Sequence, residues 1–459
     1  RCQPVTGVQT CALPIWRFGV VVGACVVAIA ALAALTAARG IRLRYVEFDS
    51  AAATESNQQI RLHLSLPIKS LSAEQVSITP SVPLSVAVEG EVVIISLKYQ
   101  LHYQTEYTLK ITGAAGEYGR QRGDIEYRFS TPSATAYFIR RNYDSNSLIL
   151  DSKSDDQIMK IDLATGKETQ IFQANKIQEF VLIGDELVVS MADKNGKSQL
   201  NSVNITTKKV NNITLAKTGV AAKLRASADG TSFGYILGDQ PASKGGELYI
   251  VRAQDKSART VAGAENAVDW QPSPDGRLAA VLTADDNLLL LDASGKRQPR
   301  PLGQTQSLGN FSGDRRAISY ARRSSGFAAY DLAANQPDSA GSLESYAARL
   351  IMLSNSATLA EKYPILRAAK SEPEIVYADG ARRMSYRAGK NQRVTGLAAS
   401  PNRQFITVET VANDTPPYDN YPVNGRNYPT TTRILASENG RVIRSEEHTS
   451  ELQSLVDIS

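Results

Sequence analysis

The stretch SPDGRLAAVL, residues 273–282, decides the fold of this chain. A small polar turn stands directly before an apolar strand, and its residue types tolerate the left-handed backbone of a tight hairpin. Related stretches are YDSNSLIL, IGDELVVS, SADGTSFGYI, SGDRRAISYA, SNSATLAEKY and SPNRQFITVE. One Asn or Asp in each turn serves as its reference position, and these residues are 39 to 47 positions apart: Asn146, Asp185, Asp229, Asp275, Asp314, Asn355 and Asn402. Seven units of this length predict a seven-bladed β-propeller, with four strands per blade, over residues 136–443.

A second series of turns has the same period and joins the outer strands of each unit. Examples are IDLATGKETQI at 161–171, VRAQDKSARTV at 251–261 and LDASGKRQPRP at 291–301. The last unit has strands VTGLAAS, QFITVETV and TTRILAS, but its fourth strand is cut after GRVI. Either natural sequence continues this strand, or the strand AYFIRR, residues 136–141, closes the ring from the other end.

One repeat also contains a motif found in the active sites of serine hydrolases. Gly230, Ser232 and Gly234 have the G-x-S-x-G spacing of a hydrolase nucleophile elbow. Such an elbow needs a following helix and a histidine, whereas residues 233–237 alternate like a strand and residues 103–447 contain no histidine. We therefore expect Ser232 to be a turn residue, and no catalytic residue is predicted.

The sequences at both ends of the chain do not fit the rest of the protein. The peptides VTGVQTCALPI (5–15) and RSEEHTSELQS (444–454) can be encoded by opposite strands of one DNA stretch that resembles a sequencing-library adapter. We expect residues 1–15 and 444–459 to be artefacts, the alternative being two unrelated natural termini. Without them Cys25 is the single cysteine, so neither a disulfide, a metal site nor a cofactor is predicted.

An apolar segment precedes the repeats. Residues 18–38, FGVVVGACVVAIAALAALTAA, carry no charge and are flanked by Trp16, Arg17 and Arg39. This predicts a transmembrane helix or signal anchor over residues 16–39, with a cleaved signal peptide as the alternative. Gly19 and Gly23 form a G-x-x-x-G pattern that would allow a homodimer. The net charge of +5 is scattered along the chain, which argues against nucleic acid as a partner.

A first soluble module covers residues 45–131. Residues 60–66, 107–111 and 125–129 alternate apolar and polar side chains, which is typical of half-buried strands in a β-sandwich. VEFDS, VSITPSV, LHYQTEYTLKI and YRFSTP resemble the bacterial Ig-like domains of surface proteins, including S-layer proteins. Leu101, Thr105 and Tyr107 resemble that family's L-x-x-x-T-x-Y corner, which implies a backbone hydrogen bond from the Tyr107 hydroxyl. His63 and His102 are expected to face outward.

The repeats resemble the propellers of the TolB-like and WD40-like families. VDWQPSPDGRLAAVL, residues 268–282, carries this resemblance, which implies that Trp270 packs between blades and that the setting is extracytoplasmic. The fold class predicted for the chain is therefore all-β: an N-terminal transmembrane helix, an Ig-like sandwich and a seven-bladed propeller.

The last repeat contains an insertion, NDTPPYDNYPVNGRNYP, residues 413–429. Its prolines stiffen the loop and its tyrosines offer large amphipathic surfaces, so it is a candidate contact surface; the alternative is a loop that packs on its own propeller. The predicted contact residues are Tyr418, Asn420, Tyr421, Arg426 and Tyr428.

Other acidic residues are weaker candidates. Asp285 and Asp286 resemble a catalytic pair but fall in a predicted hairpin turn. Asp151, Asp155 and Asp156 lack the spacing of a calcium loop.

Three functions remain. The favoured one is a non-enzymatic binding or scaffolding protein of the cell envelope, single-pass in the membrane with an extracytoplasmic C-terminal region, whose partner is a protein or a polysaccharide. The second is an extracytoplasmic hydrolase, lyase or gating subunit. The third is a structural component of a surface layer or of envelope assembly.

Overall fold

The computed structural model describes residues 15–38, 40–50, 58–97, 100–117, 121–141, 143–144, 149–150, 155–239, 245–313, 317–322, 326–337, 347–354, 357–363, 372–380, 382–415 and 430–448. The chain divides into two compact units: residues 1–101 with 105–132, and residues 102–104 with 133–459. The first unit contains the helix α1, Ile15–Ala38. In the part of the chain that the structure describes, no helix is both long enough and apolar enough to cross a membrane.

Two antiparallel sheets form the rest of the first unit. Their strands are β1 (Leu43–Glu47), β2 (Gln59–Leu64), β3 (Val76–Thr79), β4 (Leu84–Glu89), β5 (Val92–Leu97), β6 (Glu106–Ala115) and β7 (Arg122–Ser130). One sheet has the order β1-β2-β5-β4 and the other β3-β6-β7. Leu62, Ile95 and Leu109 meet in a single core because alternate side chains of each strand face inward. The alternation read from the sequence is therefore confirmed as two facing sheets.

The predicted corner in this unit is fixed by threonines. The Thr131 hydroxyl accepts a hydrogen bond from the Thr105 N–H at 3.0 Å, and the Thr131 N–H donates to the Thr105 carbonyl at 3.0 Å. Leu101 and Tyr107 are buried, and the Tyr107 ring stacks on Phe129 at a centroid distance of 5.5 Å. His63 lies between Tyr45, whose ring stacks on it, and Glu47, 3.2 Å away.

Strands dominate the second unit. They are β8 (Thr135–Arg140), β9 (Tyr143–Asp144), β10 (Ile149–Leu150), β11 (Asp156–Asp162), β12 (Glu168–Ala174), β13 (Ile177–Ile183), β14 (Glu186–Ala192), β15 (Ser198–Asn204), β16 (Val210–Ile213), β17 (Val220–Ala226), β18 (Ser232–Gly238), β19 (Glu247–Arg252), β20 (Ala258–Thr260), β21 (Ala267–Pro272), β22 (Leu278–Thr283), β23 (Asn287–Asp292), β24 (Arg300–Gln304), β25 (Leu308–Phe311), β26 (Ala317–Arg322), β27 (Gly326–Asp331), β28 (Gln336–Pro337), β29 (Ala347–Met352), β30 (Ala357–Lys362), β31 (Glu374–Asp379), β32 (Arg382–Arg387), β33 (Gln392–Ala399), β34 (Phe405–Ala412), β35 (Thr430–Ala436) and β36 (Val442–His448).

These strands build consecutive antiparallel sheets, which we number in chain order. Sheet 1 has the order β12-β11-β8. Sheets 2 to 7 each contain four strands in sequence order: β13 to β16, β17 to β20, β21 to β24, β25 to β28, β29 to β32 and β33 to β36. We call the first strand of each of sheets 2 to 7 its inner strand; side-chain hydrogen bonds connect β13 to β17, β17 to β21, β25 to β29 and β29 to β33.

Apolar clusters join every sheet to the next one and sheet 7 back to sheet 1. Trp270 is 1% exposed between sheets 3 and 4, as its place in the repeat predicts. Between sheets 7 and 1, Phe405 packs with Phe138 and Met159, and Tyr103 fills the same cluster. The seam between sheets 1 and 2 is built in the same way around Tyr137 and Phe180. The sheets therefore close into a ring of seven, the propeller that the repeats predict.

Side-chain hydrogen bonds shape the repeated turns. The Ser273 hydroxyl donates to Asp275 Oδ1 at 2.7 Å and accepts from the Leu278 N–H at 2.9 Å, while Gly276 has a φ of +63°. Ser227 makes the equivalent bond to Asp229 at 2.7 Å, and Ser400 to Asn402 at 2.8 Å. In these three turns a serine followed two positions later by Asp or Asn closes the turn, whereas Ile183 and Leu353 stand at the serine position of the turns at Asp185 and Asn355.

Sheet 1 departs from the predicted pattern. β8 pairs directly with β11, from Thr135 with Asp162 to Arg140 with Gln157. Ile149 and Leu150, expected to continue the sheet beside β8, pair instead with β9. The prediction of four strands is wrong for the described part of this sheet, because six residue pairs with β11 occupy the β8 edge that β10 would need.

Sheet 7 also differs from the expectation. Its fourth strand, β36, pairs with β35 and continues past Ile443 to His448. AYFIRR therefore does not close this sheet, since the outer edge of β35 is already occupied. Sheets 7 and 1 meet through side chains.

Candidate functional site

The predicted contact residues Tyr418, Asn420, Tyr421, Arg426 and Tyr428 lie outside the described residues. The base of their connection is described, however. The Asn413 N–H donates to the Asn391 carbonyl at 2.9 Å, and Arg393 Nη1 donates to the Asn413 carbonyl at 3.4 Å. The Asn391 side chain reaches Asp414 Oδ1 at 3.4 Å. The connection between β34 and β35 is thus attached at its start to the turn that precedes β33.

The inner strands share a β-bulge. Bulges interrupt the pairing of the inner and second strands in each of sheets 2 to 7, for example between Ile177 and Glu179 and between Ala347 and Arg349. A bulge leaves an extra residue out of the ladder and re-aims the neighbouring side chains. Polar residues stand at these positions at the spacing of the repeat, namely Glu179, Arg225, Asp269, Asn310 and Arg349.

Four of these polar residues bind the inner strand of the following sheet, whereas Asp269 pairs with Arg225 of the preceding sheet at 2.9 Å. Glu179 Oε2 accepts from the Leu224 N–H at 2.7 Å, and Arg225 donates to the Trp270 carbonyl. Asn310 makes two bonds of 2.8 Å to the N–H and carbonyl of Met352. Arg349 donates to the Thr395 carbonyl at 3.3 Å. We call this set the inner ring of contacts; its polar groups are used to hold adjacent sheets together.

Sheet 6 has a buried acid beside this ring. Glu361 is 4% exposed, accepts a hydrogen bond from the Tyr363 hydroxyl at 2.8 Å and lies 3.7 Å from Arg349 Nε. Burial raises the pKa of the Glu361 carboxyl, and Arg349 only partly opposes this effect. Buried acids with raised pKa are found at functional sites. Of the two partners of Glu361, Arg349 belongs to the inner ring and Tyr363 follows the end of β30.

Sheet 7 places a second buried acid at the same level. Gly396 stands at the bulge of β33, and a Cβ there would lie 2.3 Å from Glu409 Oε2. The Glu409 carboxylate therefore fills the space that a side chain on residue 396 would need. Glu361 and Glu409 both lie near the ends of β30 and β34, which lead into connections 363–373 and 413–429. This rim of sheets 6 and 7 is the candidate functional site.

The other candidates have structural roles. Ser232 begins β18, and its N–H donates to the Ser227 hydroxyl at 3.1 Å. Asp286 has a φ of +61° in the turn between β22 and β23. Asp156 binds Arg141 and the Ile177 N–H, while Asp155 accepts from Gln173 at 3.1 Å. Among the residues that the structure describes, no three Asp, Glu, His or Cys side chains are grouped so that they could hold a metal ion.

Sequence reasoning missed the inner ring, Glu361 and Glu409. The signal that would have found the ring is a polar residue recurring within the first apolar strand of each repeat. No comparable signal marks Glu361 or Glu409, because their burial depends on contacts with Arg349 and Gly396 on neighbouring strands.

The closed ring of sheets places the second unit among seven-bladed β-propellers. No family model and no curated protein matches the chain. Among solved structures, it is similar to TolB from Acinetobacter baumannii, with 12% identity and a TM-score of 0.41 over 69% of this chain and 80% of that one. It is also similar to the β-propeller domain of Cps50 (Swd1) from Myceliophteria thermophila, with 11% identity and a TM-score of 0.41 over 60% of this chain and 87% of that one. A third similar structure is the tricorn protease, with 10% identity and a TM-score of 0.42 over 88% of this chain and 49% of that one. Function is therefore inferred from this chain's own residues.

Proposed function

We propose that this protein is a non-enzymatic binding or scaffolding protein of the cell envelope. In this proposal α1 anchors the chain in the membrane, the first unit is an Ig-like spacer, and the extracytoplasmic propeller presents its rim at sheets 6 and 7 to a protein or polysaccharide. The two glycines of α1, Gly19 and Gly23, leave room for a second copy of the helix, since a Cβ at either would meet nothing within 4 Å.

The connection between β34 and β35 carries the proposal. It spans residues 413–429, whereas the equivalent connections span 193–197 in sheet 2 and 284–286 in sheet 4. Two strands of a hairpin can be joined by two to five residues, so ring formation does not require the extra length. Long connections on a rigid scaffold commonly carry binding residues, and this one is rich in tyrosine and asparagine.

The inner ring of contacts favours binding over catalysis. Glu179, Arg225, Asn310 and Arg349 all bond to the next inner strand, so these polar groups are engaged in holding the sheets together. A rigid ring is what a binding surface on its rim requires.

The test is retention of envelope components on the immobilised protein. Replacing residues 416–429 by a Gly-Asn-Gly linker should abolish most of the retained material, because the contact tyrosines are removed, while thermal unfolding stays unchanged. The matched control shortens the connection 193–197 of sheet 2 and should retain the same material as the natural chain. An unchanged bound set after the first replacement would contradict the proposed surface and favour a purely structural envelope component.

The anchor is tested separately by flotation with phospholipid vesicles. The full chain should float with the vesicles, and an α1 variant with Val22 and Val26 both changed to Lys should remain in the aqueous fraction. If both proteins remain in solution, α1 does not serve as a membrane anchor.

A further inference from the structure

Arg300, the first residue of β24, has an unusual environment. Its Nε and Nη2 atoms are shielded from solvent, and neither has a hydrogen-bond partner among the described residues. A guanidinium keeps its positive charge in a protein. Shielding such a group without an acceptor is costly, so a native chain is expected to provide one.

The side chain lies on the face of sheet 4 that packs against sheet 5. Arg300 pairs with Leu290 across the ladder. Leu290 belongs to the cluster that contains Ile318 and Tyr330 of sheet 5. Because directly paired residues of two strands point to the same face, Arg300 is directed toward this seam, on the outermost strand of sheet 4.

Two carboxylates at the ends of β23 and β27 are held by their own turns. Asp292 accepts the Ser294 N–H at 2.7 Å, and its other oxygen lies 3.9 Å from Arg297. Asp331 accepts the N–H groups of Ala333 and Ala334, both at 2.8 Å. Neither carboxylate forms a hydrogen bond with Nε or Nη2 of Arg300.

We propose that Arg300 binds a small oxyanion at the outer edge of the seam between sheets 4 and 5. The planar guanidinium matches two oxygens of a phosphate or carboxylate group, and such charge-assisted pairs are stronger in a shielded setting. This site is independent of the rim of sheets 6 and 7 and of the membrane anchor.

The experiment measures thermal unfolding of the full chain in chloride buffer and in inorganic phosphate, sulfate or acetate at matched ionic strength. The natural chain should gain about 3 °C or more in Tm in at least one oxyanion, since ligand binding to the folded state raises Tm. Phosphate and sulfate acting without acetate would identify a phosphate-type ligand; acetate acting alone would identify a carboxylate. Titration calorimetry with the active anion should show saturable binding.

Arg300→Met and Arg300→Lys test the residue itself. In chloride, Arg300→Met should unfold at the same or a higher temperature than the natural chain, because an unpaired shielded charge is replaced by an apolar side chain of similar length. Its Tm should not respond to oxyanions. Arg300→Lys keeps the charge and should retain a weaker response, so it decides the question if the Met variant fails to fold. Arg297→Met, whose guanidinium is 85% exposed, is the matched control and should respond like the natural chain.

Two results would overturn the proposal. One is an equal oxyanion response in the natural chain and Arg300→Met, which would indicate a general salt effect. The other is the absence of any anion response in the natural chain; a lower Tm of Arg300→Met in chloride would then mean that the protein itself satisfies the guanidinium.

Discussion

Arg141 and Arg300 are both shielded in seams of the propeller, but their surroundings differ. Arg141 Nη1 donates to Asp156 Oδ2 at 3.0 Å and to the Ile177 carbonyl at 2.7 Å, and both charged side chains are at most 2% exposed. Arg300 has Nε and Nη2 shielded without an acceptor in the described residues. The comparison teaches that the same side chain holds two sheets together where its acceptor is built in, and becomes a candidate binding group where it is not.

The largest effect is expected where the built-in pair is broken. Asp156→Ala should lower the free energy of unfolding by about 3–5 kcal/mol, because it leaves the Arg141 charge buried and removes the acceptor for the Ile177 N–H. Asp156→Asn should cost less, since its amide oxygen still accepts. Chemical denaturation measures both. Asp285→Ala, in an exposed turn, is the control, and equal losses for Asp156→Ala and Asp285→Ala would show that the pair does not hold the seam.

The second largest loss of stability is expected when an uncharged contact between two sheets is removed. Asn310→Ala removes both hydrogen bonds to Met352 and should cost about 2 kcal/mol, because two buried backbone groups lose their partners. Asn310→Asp keeps the acceptor for the Met352 N–H and should lose less. Denaturant unfolding compares them with Asn212→Ala, whose side chain is exposed. A loss no greater than that of Asn212→Ala would remove Asn310 from the inner ring.

The pH dependence of stability tests the role of Glu361 near the contact between sheets 6 and 7. Its pKa is raised by burial, so the folded state holds this proton more tightly than the unfolded chain does. Its contribution to stability is therefore greatest at low pH and decreases as the pH rises from about 4.5, the ordinary value, through the raised pKa. Unfolding measured across this window should show a decrease in the natural chain that Glu361→Gln lacks. The same slope in both proteins would contradict this assignment.

The smallest effect is expected at Arg403. This residue has a φ of +62° where the equivalent turns have Gly230 and Gly276, and its guanidinium lies 3.3 Å from Asp379. Arg403→Gly relieves backbone strain but loses a partly exposed ion pair and frees the unfolded chain, so the net change should stay within about 1 kcal/mol. Gly276→Ala is the contrasting variant and should cost more, because a Cβ there would lie 2.5 Å from Ser232 Oγ. Tm measurements that rank the two the other way would refute this account.

The sequence predicted those features that are local in origin. The polar turns around the Asn and Asp anchors are specified by a few neighbouring residues, so their repeat revealed the sheets. Ser232 could be excluded as a nucleophile because it lies in one of these turns, a strand pattern follows it and no histidine is available. Trp270 could be placed only through the resemblance of residues 268–282 to known propeller repeats. The pairing of β8 with β11 was missed because the choice among strand partners depends on which edges other strands already occupy. Arg300, Glu361 and Glu409 could not be recognised, since their significance lies in the absence or presence of partners on other strands.

The way the ring closes has a mechanical consequence. Within the described residues, sheets 7 and 1 are joined by side chains such as Phe405 and Phe138, and no strand is shared between them. Tension applied to the two ends of the propeller would therefore load these apolar contacts and the Arg444–Glu168 ion pair, and not a ladder of backbone hydrogen bonds. Such a seam should yield before any sheet is pulled apart, so that the ring opens at one defined place and leaves the individual sheets intact.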